Sequence, residues 1–393
     1  MTSAKITSVD RGTDARLWSL LAGNFIIGTG ILLPAGMLGP LAADLNVSIP
    51  QAGWLMLAGG ITVGLGAPVF AALTSGIDRR LLLVASLVLY FAGHVASSMA
   101  PNFAVLMILR VVTVVAAGIF TPQAAASVGL LVPPEQRAGG VAFIFLGWSI
   151  SLVAGTAIAS LIATYLGWRM AYLILGALCV PVLIWVAVSI PKGLKSVPLS
   201  MSSWGAVFTS PALLLVLLVT VVSSSGQFTV LTYLQPTLRD AFAASPGATA
   251  AVLAAFGLAG IFGNAVAARI VVAWGAGPLI GAMLISMLLG FVILGLANGS
   301  LLAAALGVAA WGFGTFSSNS LQQARLIGLA PQLASASVAL NTSAIYLGQA
   351  VGPAVGGALI SAAMPGALAW AAAGLVALAL VLSLLAEPMR VRM

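Results

Sequence analysis

The chain has 393 residues, of which 61% are hydrophobic and only 6% are charged, whereas charged residues make up roughly a quarter of soluble domains. A soluble protein of this length needs a charged surface, so the composition excludes that class and indicates lipid as the main solvent. The formal net charge of +8 does not indicate a nucleic-acid partner, because the basic residues are scattered between apolar runs and form no single patch.

The chain begins with a polar stretch, residues 1–16, and a long apolar run follows it. This run is too long for the hydrophobic region of a signal peptide, and no small-residue cleavage site follows it. We therefore predict that residues 1–16 are a cytoplasmic N-terminal tail and that the run is the first membrane span. Cys179 is the single cysteine, so no internal disulfide is expected.

Twelve apolar runs are long enough to cross a bilayer, which requires about 20 mostly apolar residues. Backbone groups in lipid must be satisfied internally, so each run is predicted to be a helix. The predicted fold class is an all-α polytopic membrane protein with twelve transmembrane helices. The predicted spans are centred near Thr29, Ile61, Tyr90, Ala116, Leu152, Leu178, Val222, Ala259, Ser286, Val308, Gly348 and Leu375.

The longest polar stretch between spans, residues 191–210, divides them into six and six. We predict an N-terminal six-helix bundle over residues 17–190, a cytoplasmic linker over 191–210, a C-terminal bundle over 211–386 and a cytoplasmic tail over 387–393. Lys and Arg concentrate on the cytoplasmic side of membrane proteins. If both termini are cytoplasmic, the outer segments contain only Arg169 and Arg239, and the inner segments contain Lys5, Arg11, Arg16, Arg79, Arg80, Arg137, Lys192, Lys195, Arg269, Arg325, Arg390 and Arg392.

The two predicted bundles repeat one another at an offset of 196 or 197 positions. Single Ala or Gly matches are expected by chance in this composition, but matched prolines and an aspartate at element boundaries are not. Two parallel six-span repeats predict pseudo-symmetric bundles with a substrate site near the membrane midplane between them. The register aligns Pro40, Asp44, Pro50, Gly64, Pro134, Val141, Ala142 and Gly155 with Pro236, Asp240, Pro246, Gly260, Pro331, Val338, Ala339 and Gly352.

Span 11 combines small residues with a proline. Glycines four residues apart share a helix face and permit close approach of a neighbouring helix, and a proline inside the span allows a kink. The stretch is predicted to be a packing helix, and it is also a candidate gating hinge. The equivalent stretch of span 5 keeps the small residues, including Gly155, but has no proline. The span 11 residues are Gly348, Gly352, Pro353, Gly356 and Gly357.

These features resemble the major facilitator superfamily, and the resemblance covers essentially the whole chain. Residues 27–29 and 41–48 are similar to the opening of the drug:proton antiporter-1 family, and its arabinose-efflux-permease-like branch is nearest. Residues 121–126, 132–137, 167–169 and 322–325 fit that branch. The resemblance implies alternating access, proton antiport and a cavity lined by spans 1, 4, 7 and 10. It thereby favours Asn24, Arg110, Gln227, Tyr233, Trp311 and Asn319 as substrate-binding residues over other polar and aromatic residues inside the spans (Asn264, Asn341, Gln349, Trp148, Phe316 and Tyr346).

The chain departs from the family pattern in two places. The family's loop between spans 2 and 3 has Asp-Arg where this chain has Thr74 and Ser75, although Asp78 precedes Arg79 and Arg80 as a partial substitute. Many relatives also have an acid in span 1, where this chain has Gly30 and Ile31. The Gly-Pro-Gly-Gly signature normally marks span 5 of antiporters and is better formed here in span 11.

His94 and Arg110 are the ionisable side chains predicted to lie within the apolar runs, at nearly the same depth. A charge at mid-membrane costs at least about 2.5–3.5 kcal/mol, so Arg110 needs partners or a polar cavity. We favour a role in substrate binding or proton coupling over a structural arginine satisfied by carbonyls, because the repeat-equivalent residue is Gly307. His94 is a candidate for proton coupling, but we prefer a neutral histidine bonded between helices.

The predicted function is secondary active efflux of small uncharged or amphipathic compounds, such as drugs, sugars or metabolites, by proton-coupled alternating access; multidrug resistance is one such role. The alternative is a proton-independent facilitator. A membrane enzyme is disfavoured because no nucleophile–base pair or paired carboxylates occur near one face, and a channel because no filter-like loop occurs. We expect a monomer in a bacterial inner membrane, with protons and lipid as further partners and without a cofactor, metal or nucleic acid.

Overall fold

A computed structural model describes residues 11–74, 76–133, 136–195 and 201–387. Most of both predicted tails and part of the predicted linker therefore lie outside the described residues. So do several residues used in the orientation, repeat and motif arguments, namely Lys5, Ser75, Pro134, Glu135, Arg390 and Arg392.

Twelve helices in the described chain are long and apolar enough to cross a membrane. Each predicted centre lies within one of them, so the predicted fold class is confirmed. They are numbered spans 1 to 12. Their helices are Arg11–Leu32, Ile49–Leu73, Arg79–Ser98, Phe103–Leu131, Arg137–Ile150 continued by Ser151–Gly155 and Thr156–Tyr165, Trp168–Ser189, Pro211–Leu231, Pro246–Trp274, Ala276–Gly295, Leu301–Leu329, Ala334–Ser361 and Leu368–Ala386.

Short helices follow several spans. Span 1 continues as the 3-10 turn Leu33–Gly36 and the helix Leu38–Asp44, and span 7 is followed by Leu234–Phe242. The helix Met201–Phe208 falls in the predicted linker. Two further 3-10 turns, Pro331–Leu333 and Pro365–Ala367, precede spans 11 and 12.

Polar side chains before several spans explain where those helices begin. Asn102 Oδ1 accepts a hydrogen bond from Val105 N at 3.0 Å at the start of span 4. Ser245 and Ser300 accept equivalent bonds at the starts of spans 8 and 10. A side-chain acceptor at this position satisfies a backbone N–H that has no partner within the helix.

The two halves repeat one another in their internal contacts, as the sequence register predicts. Gly28 of span 1 lies against the Ser151 side chain of span 5, and the equivalent contact joins Ser224 of span 7 to Gly348 of span 11. The glycine and the serine exchange places between the two halves. One small residue in each pair is enough to let the helix backbones approach closely.

The prediction that only His94 and Arg110 lie within the spans is wrong for the cations. The membrane-crossing stretches also include Arg16, Arg79, Arg80, Arg169, Arg269 and Arg325. All but Arg169 lie near the ends of their spans on the face where the described chain begins and ends, called the terminal face below, and Arg169 lies near the opposite end, at the start of span 6. Long cationic side chains at span ends reach the membrane surface. Asp14 falls in the first turn of the helix Arg11–Leu32, before the membrane-crossing stretch that begins at Ala15. Within the described chain, no Asp or Glu lies inside any of the twelve membrane-crossing stretches.

Candidate functional site

The two halves meet along a seam formed by spans 2 and 11 and by spans 5 and 8. A Cβ atom on Gly60 of span 2 would lie 2.5 Å from Ala350 N and 2.6 Å from Tyr346 O of span 11. The repeat-equivalent contact places Gly257 of span 8 against Val153 of span 5. Both contacts lie about halfway along their helices, where the predicted substrate site between the halves would be.

The seam is closed on the face opposite the chain ends, called the far face below. Gly39 N, in the helix after span 1, donates to Gln235 Oε1 in the helix after span 7 at 3.4 Å. These two residues are repeat equivalents, so their contact lies at the pseudo-symmetry axis. Two cavities, about 370 and 360 Å³, flank the contact, and Gln235 and Arg239 line both of them.

Arg110 is 2% exposed and its guanidinium bonds to backbone carbonyls of spans 1 and 2. Nη1 donates to Gly30 O at 2.7 Å, Nη2 to Ile31 O at 2.6 Å and Nε to Leu55 O at 3.2 Å. These are the contacts of the structural alternative considered above. The resemblance described above implies an acid at the position of Gly30 and Ile31. In this chain the groups that Arg110 contacts there are backbone oxygens.

His94 is 1% exposed and packs on the same turn of span 1 as Arg110. Its Nδ1 lies 2.8 Å from Tyr90 O, and because a carbonyl can only accept, Nδ1 carries a proton. A Cβ on Gly30 would lie 2.5 Å from Nε2, which has no hydrogen-bond partner among the described residues. The predicted similar depth of His94 and Arg110 agrees with this arrangement, since both contact Gly30.

Amides and hydroxyls form related clusters in the two halves. Asn24 Nδ2 donates to Ile144 O at 3.1 Å, and Asn24 Oδ1 accepts from Thr121 Oγ1 at 3.0 Å. In the other half Thr220 Oγ1 donates to Asn341 Oδ1 at 2.7 Å, and Asn341 Nδ2 donates to Asn319 Oδ1 at 3.4 Å. Asn24 and Thr220 are repeat equivalents, so each half joins three spans through an amide.

An aromatic pair bridges the two halves near these clusters. The rings of Trp148 in span 5 and Tyr346 in span 11 meet edge-on, with centroids 6.5 Å apart. Trp148 Nε1 donates to Thr121 Oγ1 at 3.4 Å, so the ring connects the cluster of one half to span 11 of the other. Flat aromatic faces beside amides suit a neutral or amphipathic solute.

The structure places three of the predicted binding residues differently from one another. Trp311 is fully buried within the C-terminal half between Phe256 and Phe291, with ring centroids 4.5 and 4.9 Å away. Tyr233 lies beyond the end of span 7, near the far face, and its hydroxyl donates to Pro353 O at 2.8 Å. Gln227 is half-buried on span 7. Their roles in substrate binding stay predictions.

The predicted packing glycines of span 11 lie against span 7 and its extension. A Cβ on Gly348, Gly352 or Gly356 would lie within 2.9 Å of span 7 backbone, and a Cβ on Gly357 would lie 2.8 Å from the Tyr233 hydroxyl oxygen. Span 11 remains helical through Pro353. Span 5 differs, because Ser151–Gly155 forms a π-helical turn at the equivalent position, where a Cβ on Gly155 would lie 2.7 Å from Thr29 Oγ1.

Asp78 and Arg79 of the altered loop motif have hydrogen-bond partners at the terminal face. Asp78 begins span 3 by accepting from Leu81 N at 3.1 Å, and it also accepts from Gly193 N, at the start of the predicted linker. Burial raises the pKa of the Asp78 carboxyl, but these backbone N–H groups outweigh it and the net pKa lies below the usual value. Arg79 is buried and donates to Gln123 Oε1; Arg80 is half-buried.

An exposed latch on the far face was not predicted from the sequence. Asp44 accepts from Arg169 and from Trp168 Nε1, and Arg169 Nη2 donates to Ala100 O at 3.1 Å. The Arg169 and Trp168 hydrogen bonds hold the pKa of the Asp44 carboxyl below its usual value. Both parts are visible in the sequence, as residues 167–169 and Asp44, but nothing in the sequence places them together.

Comparisons with known proteins agree with this architecture. The family model described as Major Facilitator Superfamily matches residues 20–348. The inner membrane transport protein YdhP of Escherichia coli K12 is 32% identical over 336 residues, 86% of each chain. YfhI of Bacillus subtilis, an uncharacterized MFS-type transporter, is 28% identical over 339 residues, 86% of this chain and 84% of that one. The crystal structure of the human organic anion transporter MFSD10 (TETRAN) has a TM-score of 0.73 at 17% identity, covering 94% of this chain and 99% of that one, a likeness of fold alone.

Proposed function

The chain belongs to the Major Facilitator Superfamily of membrane transporters, and from this premise we propose that it exports small uncharged or amphipathic compounds by alternating access. The observation that carries the proposal is the seam. Its two contacts, Gly60 with Ala350 and Gly257 with Val153, are repeat equivalents and lie about halfway along their helices. Two pseudo-symmetric bodies that meet in this way can rock about a site between them.

The substrate class follows from the polar groups near the seam. The clusters around Asn24 and Asn341, with Trp148 and Tyr346 between them, offer neutral hydrogen bonds and flat apolar surface. No carboxylate lies within the membrane-crossing stretches of the described chain, so a strongly cationic substrate would lack a counter-charge. Drugs, sugars and neutral metabolites all fit this description, as does a role in multidrug resistance.

We place proton coupling at His94. Its Nε2 has no hydrogen-bond partner among the described residues and could accept a proton. The new charge would lie beside the turn of span 1 to which Arg110 bonds through Gly30 O. Repulsion between two buried cations would then weaken the contact between spans 1 and 4. The observation that supports the alternative, a proton-independent facilitator, is the lack of a carboxylate inside the membrane-crossing stretches of the described chain.

We propose a monomer in a bacterial inner membrane with both termini in the cytoplasm, consistent with the relative named as an inner membrane transport protein. The resemblance to the arabinose-efflux-permease-like branch supports export over uptake. The lipid bilayer, protons and the small-molecule substrate are the proposed partners.

Purified protein in proteoliposomes tests the proposal. A thermal-shift screen of neutral aromatic amphiphiles, monosaccharides and nucleosides identifies a ligand, because a compound that binds the native state raises its apparent stability. Uptake of that compound is then measured with and without a pH gradient, in wild type and His94→Gln. We expect gradient-driven accumulation in the wild type only, with exchange at equal pH retained in the variant.

Other outcomes separate the alternatives. Equilibration of the compound without accumulation in the wild type would identify a facilitator. Accumulation by His94→Gln equal to that of the wild type would move the coupling to another group. A transport rate that never saturates with concentration would contradict a carrier altogether.

A further inference from the structure

Span 1 breaks at Pro34, one turn before the far face. In a continuous α-helix the Gly30 carbonyl would accept a hydrogen bond from the N–H of residue 34, which proline lacks. The α-helix ends at Leu32 and the 3-10 turn Leu33–Gly36 follows. Arg110 Nη1 donates to Gly30 O at 2.7 Å, so the guanidinium takes the place of the missing donor.

The C-terminal half provides an internal comparison. The repeat equivalents of Gly30 and Pro34 are Gly226 and Val230, and span 7 remains helical to Leu231. The equivalent of Arg110 is Gly307, whose added Cβ would lie 2.7 Å from Gly290 O. One half therefore has both the proline and the arginine, and the other has neither. This pairing ties Arg110 to the break in span 1 and not to the packing of a six-helix bundle.

The chain beyond the break forms part of the far-face closure. Leu33–Gly36 leads into the helix Leu38–Asp44, whose Gly39 N bonds to Gln235 of the other half. The direction of this segment depends on how span 1 ends, and Arg110 fixes that end through Gly30 O and Ile31 O. We infer that Arg110 is a positioning residue that holds the broken end of span 1 so that the far face closes.

This inference rests on the proposed function for its consequence, but closure itself can be measured without a substrate. Cys179→Ala removes the only cysteine. Gly39→Cys then reports closure, because the nearest atoms to a Cβ at Gly39 are the ends of flexible side chains, Gln235 Oε1 at 3.4 Å and Arg239 Nη1 at 3.9 Å. The rate of labelling by a membrane-impermeant maleimide is the readout. Gly366→Cys, at an open position of the far face, normalises reagent access.

In this background Arg110→Met removes the donors at similar volume and should raise Gly39→Cys labelling about tenfold, since an unsatisfied buried acceptor is costly. The double variant Pro34→Val/Arg110→Met restores an N–H for Gly30 O and should reverse most of that rise. Arg110→Lys keeps the charge, but a single ammonium cannot replace the fork of donors, so it should label faster than the wild type.

The outcomes are decisive in both directions. Unchanged labelling in Arg110→Met, or no reversal by Pro34→Val, overturns the inference. Protection retained by Arg110→Lys but not by the double variant would show that the charge matters and not the break, which also overturns it. If Arg110→Met is not monodisperse, Arg110→Lys with and without Pro34→Val gives the same comparison. Failure of transport in proteoliposomes would affect the proposed function without changing these labelling rates.

Discussion

The two halves reach the same seam with different helix irregularities. In the N-terminal half, span 5 passes the seam in the π-helical turn Ser151–Gly155, which includes Val153. In the C-terminal half, span 11 passes it as a continuous α-helix containing Pro353, whose carbonyl accepts from the Tyr233 hydroxyl at 2.8 Å. A π turn has an extra residue in its hydrogen-bonded ring, whereas a proline removes one hydrogen bond.

The halves also differ in where they place charge. The N-terminal half has Arg110 and His94 buried within its spans and an engaged carboxylate, Asp44, on the far face. At the equivalent far-face position Asp240 makes only an exposed contact with Arg239, 3.9 Å away. The common architecture therefore comes from apolar length and small residues, while charged groups distinguish the halves. Whether each difference has a mechanical consequence can be measured with paired variants.

The largest effect is expected at the seam itself. Gly60→Leu would place side-chain atoms against Tyr346 O and the Ala350 backbone, and backbone cannot move aside without displacing span 11. Overpacking of this kind costs about 1–3 kcal/mol, so transport in proteoliposomes should fall by about tenfold or more. Gly257→Leu should do the same from the other side of the seam.

Gly129→Leu in span 4 is the matched control, because a Cβ there meets nothing within 4 Å, and it should transport normally. All variants should elute as monodisperse protein. Equal losses in Gly60→Leu and Gly257→Leu would support a symmetric seam. Normal transport by both would contradict the proposal that these contacts must form during the cycle.

The spans could be predicted from the sequence because length and hydropathy decide them without reference to the rest of the fold. The contacts could be predicted only where the repeat aligned matching residues, as for Gly155 and Gly352. The exchange of Gly28 and Ser151 for Ser224 and Gly348 is invisible to that alignment, since identity is lost while the contact remains.

The candidate site was harder to predict for physical reasons. Gly307 at the repeat-equivalent position indicates that packing requires no cation at Arg110, but it gives no sign of what the arginine bonds to. In the structure that partner is Gly30 O on another helix, four residues before Pro34. Polarity alone could not separate Trp311, enclosed within one half, from Trp148, which reaches across the seam. The π turn in span 5 has no residue that marks it in the sequence, and it lies where Val153 packs against Gly257 of span 8.

A smaller difference is expected between the equivalent glycines Gly155 and Gly352. A Cβ on Gly352 would lie 2.7 Å from Ser225 O, a backbone atom, whereas one on Gly155 would lie 2.7 Å from Thr29 Oγ1, which is part of a side chain. Thr29 Oγ1 has no hydrogen-bond partner in the part of the chain described, so its rotation costs little. Gly352→Ala should therefore lower the melting temperature in detergent more than Gly155→Ala.

Thr29→Ala provides the control for this pair. Adding Gly155→Ala to Thr29→Ala should cost less stability than adding it to the wild type, because the nearest Thr29 atom to the new methyl is then the Cβ at 3.2 Å and no longer Oγ1 at 2.7 Å. The loss of folding stability in Gly352→Ala is expected to lie within the overpacking range of about 1–3 kcal/mol. A larger fall in melting temperature for Gly155→Ala than for Gly352→Ala would contradict this expectation. It would mean that the packing around the π turn of span 5 is more rigid than the packing around Gly352 in span 11.

The smallest effect is expected at the far-face aspartates. Asp44→Asn removes a carboxylate that Arg169 and Trp168 contact, and Asp240→Asn removes one that is held only by an exposed neighbour. Because the side chains of Asp44 and Arg169 are 48% and 41% exposed, the first change should cost less than about 1 kcal/mol, and the second should cost nothing measurable. Melting temperatures at neutral pH compare the two.

The pH dependence identifies the Asp44 carboxylate as the cause. Its pKa in the folded protein lies below the usual value of 3.8 because Arg169 and Trp168 bond to the charged form. The latch therefore contributes its full stability above the unfolded pKa and loses it as the pH falls through the folded pKa. The difference in melting temperature between wild type and Asp44→Asn should be constant from pH 7 to about pH 5 and shrink below about pH 4. This difference in melting temperature could instead stay constant to the lowest pH at which the protein remains monodisperse. The latch would then depend on hydrogen bonds that the Asn side chain cannot make and not on the charge of Asp44. In that case the contrast between Asp44 and Asp240 would be one of geometry alone.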